Sequence, residues 1–585
     1  MAEHKPIVFS GAGEMPELVV SVSTMLWNKT GSWRYLKPAY LDSVPPCNEA
    51  CPAGNDVEGF IRLIDEGKIA EAWRLLKQEN PLPAVTGRVC FHPCEQACNR
   101  CHLDKPTAIQ ALERFAADHA PAEEVKALRP KSGKTVAVIG AGPAGLAAAY
   151  HLTRMGHQVE IFDALPKAGG LLRVGIPAYR LPDDVLDKEI AAIESMGVKI
   201  HLGAKVGQDV PFAKMLDFDA VFVATGVHAN RALDIPGEDA QGVVPGLALL
   251  TKVALGQPVE VGMRVAVIGG GNSAVDAART AMRLGAEVTI YYRRTQVEMP
   301  AFEEEVEDAE TEGVKMEMLV APVRILTEEG KVSGIELQKM ELGEPDESGR
   351  RRPVPVAGSE FIVPCDMVLP AIGEVGDLSF LPEDVKREWG KIKIDDFGLT
   401  NHPGVFAGGD IASAQQNVAR AIGDGKRGAI AIDRYLHGET VEEVGGRVII
   451  GQRGSVSVAQ YLKEKGAHAK NIAAEKVIAF EDLNMWHFDP IEREPMPRLG
   501  LEQRRATFAE INLGLNAELA HAAAERCFHC GVCTMCDNCF MFCPDVAVSH
   551  RTDGGYGYDI DFDYCKGCGI CVKECPRSAM KMEEE

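Results

Sequence analysis

Residues 135–145, Thr-Val-Ala-Val-Ile-Gly-Ala-Gly-Pro-Ala-Gly, decide the fold. A β-rich apolar run ends at Ile139, and Gly140, Gly142 and Gly145 follow in GxGxxG spacing, opening an expected helix over Pro143–Met155. Gly140 permits the tight turn, Gly142 lets a pyrophosphate approach the backbone, and Gly145 lets the helix pack closely on the strand. The helix N-terminus supplies N–H groups and the positive end of a dipole. Gly156 caps this helix, the next strand is expected over Gln158–Phe162, and Asp163 stands 23 residues after Gly140. A carboxylate there can accept both hydroxyls of an adenosine ribose. The bland alternative is a glycine-rich turn with no ligand, and the combination of strand, glycines, helix and acid argues against it.

The unit recurs at residues 264–274, Arg-Val-Ala-Val-Ile-Gly-Gly-Gly-Asn-Ser-Ala. Gly269 and Gly271 keep the spacing, Asn272 opens the helix, and Ala274 stands where the third glycine would be. The same 23-residue step lands on Tyr292, followed by Arg293 and Arg294, so the acid is missing and arginines are present. That exchange points to a 2′-phosphate, hence NADP(H) in preference to NAD(H). The arginines could instead end a solvated strand or pair with Glu303, Glu304 or Glu305.

Around these units, short β-rich runs alternate with Ala-rich helical stretches from about 131 to 440, the pattern of parallel, doubly wound sheets. The full length of 585 residues suggests about four domains. A net charge of −23 argues against nucleic-acid or acidic-membrane partners, which select clustered cations. No apolar run approaches the ~18 residues that cross a bilayer, and MAEHKPIVFS is not a secretion signal. A cytoplasmic, reducing location is expected, where clustered cysteines ligate metal more often than they form disulfides.

Of 17 cysteines only Cys365 lies between 102 and 526. Cys565, Cys568, Cys571 and Cys575-Pro576 form CxxCxxCxxxCP, and Cys533, Cys536, Cys539 and Cys543-Pro544 repeat it. Two such runs are the bacterial two-[4Fe–4S] ferredoxin pattern, in which each fourth cysteine ligates the other run's cluster. Cys533, Cys536, Cys539 and Cys575 are thus expected at one cluster, and Cys565, Cys568, Cys571 and Cys543 at the other; zinc is the alternative that the CxxxCP endings disfavour. Cys527 and Cys530 stay unassigned, open to a structural role, zinc or a share in some further site. With one cysteine between the nucleotide units, a mechanism through a close dithiol pair there is excluded, and Cys365 is expected to be an ordinary buried residue.

Two resemblances extend this reading. Ala224-Thr225-Gly226, Ala371-Ile372-Gly373 and Gly404–Asp410 (GVFAGGD, with Gly409 and Asp410), followed by an expected helix over Val418–Leu436, resemble two-dinucleotide-binding-domain flavoproteins. That resemblance implies FAD at the first unit and closing segment, and NAD(P) in the insertion. GRVC, AGPAGLAAA, GGLLRVGIP (with Gly170), GGGNSAVDAA, YRR and GVFAGGD, standing in this order over about 45–440, resemble the small (beta) subunit of glutamate synthase. The N-terminal region of dihydropyrimidine dehydrogenase and the large subunit of NADH-dependent ferredoxin:NADP oxidoreductase are similar. The family implies an N-terminal cluster held here by Cys51, Cys90, Cys94 and Glu113; a surface helix carboxylate is the alternative for Glu113. A second N-terminal cluster would draw on Cys47, Cys98 and Cys101, but the CxxC that precedes these in the family is absent.

The expected class is α/β: two Rossmann-like dinucleotide-binding domains, an N-terminal α-helical Fe-S domain and a C-terminal bacterial ferredoxin-like α+β domain. Expected boundaries are an arm at 1–45, the helical Fe-S domain at 46–130, the first half of the FAD domain at 131–235, the NAD(P) domain at 236–370, the second half of the FAD domain at 371–440, a linker at 441–525 and the ferredoxin domain at 526–585. The expected function is an NAD(P)H-linked electron-transfer subunit. It would work through FAD, two C-terminal and one or two N-terminal [4Fe–4S] clusters. A redox partner subunit or ferredoxin is expected in a hetero-oligomeric complex, for example with a 2-oxoacid oxidoreductase. Alternatives are the glutamate synthase small subunit, a stand-alone NAD(P)H:ferredoxin oxidoreductase, and a non-catalytic scaffold that wires its neighbours. Hydride transfer needs no general acid or base, so no catalytic side chain is nominated.

Overall fold

The computed structural model describes residues 10, 14, 29–41, 43–121, 123–346, 349–463, 476–553, 555 and 557–585. The chain forms two compact units, one of residues 42–480 with 488–530, the other of residues 1–41, 481–487 and 531–585.

The larger unit begins with helices Val57–Asp65, Ile69–Glu79, Pro83–Val89 and Ile109–His119. Asp56 caps the first by accepting the Gly59 N–H at 3.0 Å, and Pro83 opens the third where its missing N–H costs nothing. Their inward stripes, including Phe60, Leu76, Leu112 and Phe115, share one buried core with the sheet that follows. That sheet has five parallel strands in the order Val405–Ala407, Ala220–Val223, Thr135–Ile139, Gln158–Phe162 and Lys199–His201. Helices Pro143–Arg154 and Val418–Leu436 pack together on it. Ala220–Val223 is buried throughout, as a strand covered on both faces must be.

A second parallel sheet, ordered Lys315–Met318, Glu287–Tyr292, Arg264–Ile268 and Met367–Pro370, is inserted between strands of the first. Beside it lies an antiparallel sheet of Val320–Glu328, Lys331–Pro345, Arg351–Pro355 and Phe361–Val363. The chain leaves and re-enters the first sheet through an antiparallel pairing of Ala229–Asn230 with Glu374–Val375. Cys365 is buried at 2 % exposure in the core under the second sheet.

Three regions of the chain differ from the sequence expectation. Described parts of residues 441–525 are packed structure rather than a linker: Val444, Val448, Val458, Ala520 and Ala524 belong to the same core as the N-terminal helices. Polar side chains of this stretch also reach distant partners. Arg504 bonds Asp308 at 2.7 Å and Glu312 at 3.3 Å, and Ser457 donates to Glu79. Residues 464–475 of this stretch lie outside the described residues. Residues 526–530 belong to the larger unit, not to the C-terminal domain.

The arm, too, is partly regular. Thr30–Trp33 forms a 3-10 turn, and Leu36–Tyr40 pairs antiparallel with Met580–Glu584 in the smaller unit, Leu36 opposite Glu584. The remainder of that expectation, residues 1–9, 11–13 and 15–28, lies outside the described residues. The smaller unit adds a second antiparallel pair, Val548–His550 with Tyr558–Ile560, and short helices Asn538–Met541 and Ile570–Lys573 around a core of Cys539, Val548, Tyr558, Cys571 and Met580.

Candidate functional site

The larger unit has an open cavity between its two parallel sheets. Gly140, Gly142, Asp163, Gly170, Thr225, Gly226, Gly409 and Asp410 line one side, and Asn272, Ser273, Asp276 and Glu374 the other. The geometry explains the first glycine turn. Gly140 has φ +108°, and a Cβ there would sit 2.3 Å from the Ala224 carbonyl oxygen. A Cβ on Gly145 would sit 1.9 Å from the Gly140 oxygen, so helix and strand touch backbone to backbone. Gly142 faces open space, with only the Gly170 Cα at 4.0 Å from such a Cβ.

Asp163 is buried, and its oxygens accept the Ala141 N–H at 2.6 Å and the Leu165 N–H at 2.7 Å, fixing the turn that faces the cavity. The Thr225 hydroxyl is buried in the cavity wall without a partner among the described residues, an atom that a bound polar group would satisfy. Burial pushes the Asp410 carboxyl up to about 6 although Lys391 opposes it, and burial lowers His228, so a neutral imidazole borders the cavity.

Gly145, Gly269, Gly271, Ala274 and Gly373 shape turns behind the lining. Ala274 is fully buried under the second turn, and the Gly373 carbonyl accepts the Arg231 N–H at 3.1 Å. Arg293 is exposed at the strand end. Arg294 is buried and donates to Asp346 at 2.6 Å and to the Arg351 carbonyl at 2.8 Å, so its acid partner is Asp346, not Glu303–Glu305. Sequence reading missed Arg180, which bridges Asp276 at 2.6 Å and Glu305 at 3.0 Å across the cavity wall, and also Phe91 and His228. Arg180 closely follows the GGLLRVGIP stretch, but nothing local signals that its partners are about 100 residues away.

A second, smaller cavity is lined by Cys51, Cys90, Cys94 and Glu113. Glu113 is buried at 6 % exposure, so it is not a surface helix carboxylate. Its Oε1 accepts from Thr86 at 2.8 Å, Asn80 at 2.9 Å and Asn55 at 3.0 Å, three bonds on one oxygen. Burial pushes this carboxyl up to about 7 and the Cys51 thiol up to about 11. A cation in the cavity would reverse that penalty by displacing the protons. The two cavities share a wall: Val89 and Phe91 line the large one while Cys90 lines the small one, and Val418 and Ala421 line the large one while Ala419 lines the small one.

Cys47 and Cys98 lie outside this cavity, and Asn99, the neighbour of Cys98, donates to Cys530 Sγ at 3.5 Å. Cys101 is exposed, its Sγ 3.3 Å from the Glu95 carbonyl oxygen. In the smaller unit one small cavity is lined by Cys533, Cys536, Cys539 and Cys575. Another is lined by Cys543, Cys565, Cys568 and Cys571. All cysteines are free thiols, and among the described residues no three metal-binding side chains close on a single ion. Sets of four ligands around one space, with the cysteine spacing of iron–sulfur proteins, suit multi-iron clusters better than one bare ion.

Comparison with known proteins accords with this layout. The pyridine nucleotide-disulphide oxidoreductase family matches residues 134–425, the dihydropyrimidine dehydrogenase domain II, 4Fe-4S cluster family matches 42–125, and the 4Fe-4S binding domain family matches 558–581. The NADP(+)-dependent formate dehydrogenase subunit beta of Moorella thermoacetica is 42 % identical over 524 residues, covering 83 % of this chain and 70 % of that protein. The NADPH-Fe(3+) oxidoreductase subunit beta of Geobacter sulfurreducens is 38 % identical, covering 83 % of this chain and 75 % of its own length. The NADPH glutamate synthase small chain of Escherichia coli is 38 % identical over 67 % of this chain and 89 % of its own. No helix among the described residues is long and apolar enough to cross a membrane.

Proposed function

Because the chain belongs to the glutamate synthase small-subunit-like family of NAD(P)H oxidoreductases, with 4Fe–4S cysteines added at its C-terminal end, we propose that it is an electron-transfer subunit exchanging electrons between NADP(H) and a partner redox enzyme. When bound, FAD exchanges a hydride with the nicotinamide and single electrons with iron–sulfur clusters, converting a two-electron carrier into a one-electron one. The observation that carries the reading is the shared wall: one residue, Cys90, separates Val89 and Phe91 of the nucleotide cavity from the thiol cavity behind it.

The residues then take these roles. Gly140, Gly142, Gly170 and the first turn of helix Pro143–Arg154 cradle the FAD pyrophosphate, Asp163 holds the turn beside its ribose, and Thr225, Gly226, Gly409 and Asp410 line the remainder of the flavin. Gly269, Gly271, Asn272 and Ala274 form the corresponding turn for the nicotinamide nucleotide, with exposed Arg293 as the group free to meet a 2′-phosphate. Cys51, Cys90, Cys94 and Glu113 hold the cluster next to the flavin. Cys533, Cys536, Cys539 and Cys575 hold a second cluster, and Cys543, Cys565, Cys568 and Cys571 a third.

The two beta subunits are matched along 83 % of this chain, whereas the glutamate synthase small chain is matched along 67 %. That supports a formate dehydrogenase-like or NADPH-Fe(3+) oxidoreductase-like assembly over glutamate synthesis. Free clustered thiols also support a reducing, cytoplasmic setting. Anaerobic mixing of the FAD-loaded chain with NADPH tests the reading. Rapid flavin bleaching followed by reduction of an added one-electron acceptor is expected; a flavin that stays oxidised would establish the scaffold reading instead.

A further inference from the structure

We propose that Cys47, Cys98, Cys527 and Cys530 together hold a further [4Fe–4S] cluster, so that a CxxC pair from beyond the nucleotide-binding domains completes the helical domain at the start of the chain. The pair is fixed there by a set of ties. Arg526, 1 % exposed, donates to Asp104 at 2.9 Å, to the Lys105 carbonyl at 2.6 Å and to the Pro106 carbonyl at 2.9 Å. Arg100 returns a bond to the Arg526 carbonyl at 2.7 Å, and His529 meets the Glu58 carboxylate at 2.8 Å. Helix Ala517–Glu525, which leads into the pair, packs on helix Val57–Asp65.

The thiols themselves converge. Cys47 and Cys530 are buried at 9 % and 8 % exposure, and none of the four is in a disulfide. Glu58, the partner of His529, donates its backbone N–H at 3.0 Å to the side-chain oxygen of Asn48, the residue after Cys47, and Cys527 packs against the same buried core that holds Cys47. Cys530 Sγ accepts an N–H from the Asn99 amide at 3.5 Å, and Cys527 Sγ accepts the His529 backbone N–H at 3.4 Å. Hydrogen bonds to ligand sulfurs are among the levers that set cluster potentials.

The arrangement also accounts for the cysteine spacing. Cys47 and Cys51 stand four residues apart, as do Cys94 and Cys98, and in each pair one sulfur serves the Glu113-lined cavity and the other this quartet. Cys101 takes no part, because its thiol is turned to the Glu95 carbonyl oxygen at 3.3 Å. Tetrahedral zinc, at a Zn–S distance of about 2.3 Å, would need sulfurs about 3.8 Å apart. Among the described residues no three His, Cys, Asp or Glu side chains are grouped so as to hold one metal ion.

The role of this site as a relay rests on the electron-transfer reading, but its ligands are tested separately. Full-length chain, purified anoxically and reconstituted with iron and sulfide, is expected to hold about 16 iron and 16 sulfide in four clusters. A plateau at about 12 iron, or one equivalent of tightly held zinc, would overturn the proposal. Cys527→Ala with Cys530→Ala is expected to remove about one quarter of the iron and sulfide and one reduced-cluster spin signal, with FAD content retained as the check on folding. Undiminished iron in that variant refutes the assignment. Should the double variant not fold, Cys101→Ser decides together with the wild-type count: all iron is expected to remain, and loss of a cluster would assign Cys101 in place of the downstream pair. Failure of NADPH to bleach the flavin would sink the electron-transfer reading while leaving these counts as they are.

Discussion

Gly142 and Gly145 are three residues apart in one turn yet perform different physical tasks, so their alanine variants are expected to fail differently. At Gly145 an added Cβ would lie 1.9 Å from the Gly140 oxygen, against an ordinary contact of about 3.4 Å. Relief requires helix Pro143–Arg154 to move roughly 1.5 Å off its strand, an overpacking cost of about 1–3 kcal/mol. That cost is divided between lower stability of the apoprotein and weaker FAD binding, because the helix N-terminus that faces the cavity moves with it. Were all of it expressed in binding, affinity would fall roughly 5- to 140-fold at 1.4 kcal/mol per factor of ten.

At Gly142 the backbone is extended, φ −78° and ψ −177°, and the nearest protein atom to an added Cβ is the Gly170 Cα at 4.0 Å. Gly142→Ala should therefore leave apoprotein stability within about 0.5 kcal/mol while its methyl group occupies cavity space and weakens FAD. Denaturant unfolding of the two apoproteins and fluorescence titration with FAD measure both quantities. The reasoning is refuted if Gly145→Ala changes neither quantity, or if Gly142→Ala destabilises the apoprotein as much as Gly145→Ala does.

Arg293→Ala should weaken NADPH more than NADH in flavin-reduction kinetics, whereas Arg294→Ala, which leaves Asp346 without its 2.6 Å partner, should cost roughly 1–3 kcal/mol of stability with little nucleotide discrimination. Equal losses for both nucleotides in Arg293→Ala would remove that residue from phosphate recognition. Cys568→Ala should lower iron by about one cluster and slow delivery to a one-electron acceptor, read by iron analysis and stopped-flow reduction; full iron content would remove Cys568 from the ligand set. Burial pushes the Asp433 carboxyl up, but hydrogen bonds from His157 and Tyr461 and the Arg129 charge outweigh it and hold the group below its ordinary value of 3.8. A depressed acid stabilises the fold above its unfolded value and loses that contribution as pH falls through the folded one. Unfolding midpoints should thus drop below about pH 4, and Asp433→Asn should flatten the drop.

Much of the site was legible because its components are local. A strand, a glycine turn and a helix N-terminus lie within a dozen residues, and the periodicity that forms them is carried by the same residues that would meet the ligand. The CxxCxxCxxxCP runs are equally local, since a cluster takes three neighbouring sulfurs from one tight loop. The linker expectation at 441–525 failed for the opposite reason. Apolar side chains of this stretch, such as Val448 and Ala524, join a core built by helices over 300 residues earlier, and Arg504 finds acids on another domain.

The sequence by itself determined the two nucleotide turns, the helical stretch at 57–119 and the pair of C-terminal cysteine runs, because short-range spacing is enough to specify a turn, a helix face or a chelating loop. Tertiary structure alone decided that Glu113 is buried beside three thiols, that Arg294 is occupied by Asp346 while Arg293 is exposed, and that Arg526 and His529 tie the chain around Cys527 and Cys530 to Asp104 and Glu58 of the helical domain. These outcomes depend on which distant surfaces bury each other. The free energy of that burial is a property of the assembled core, which no window of neighbouring residues contains.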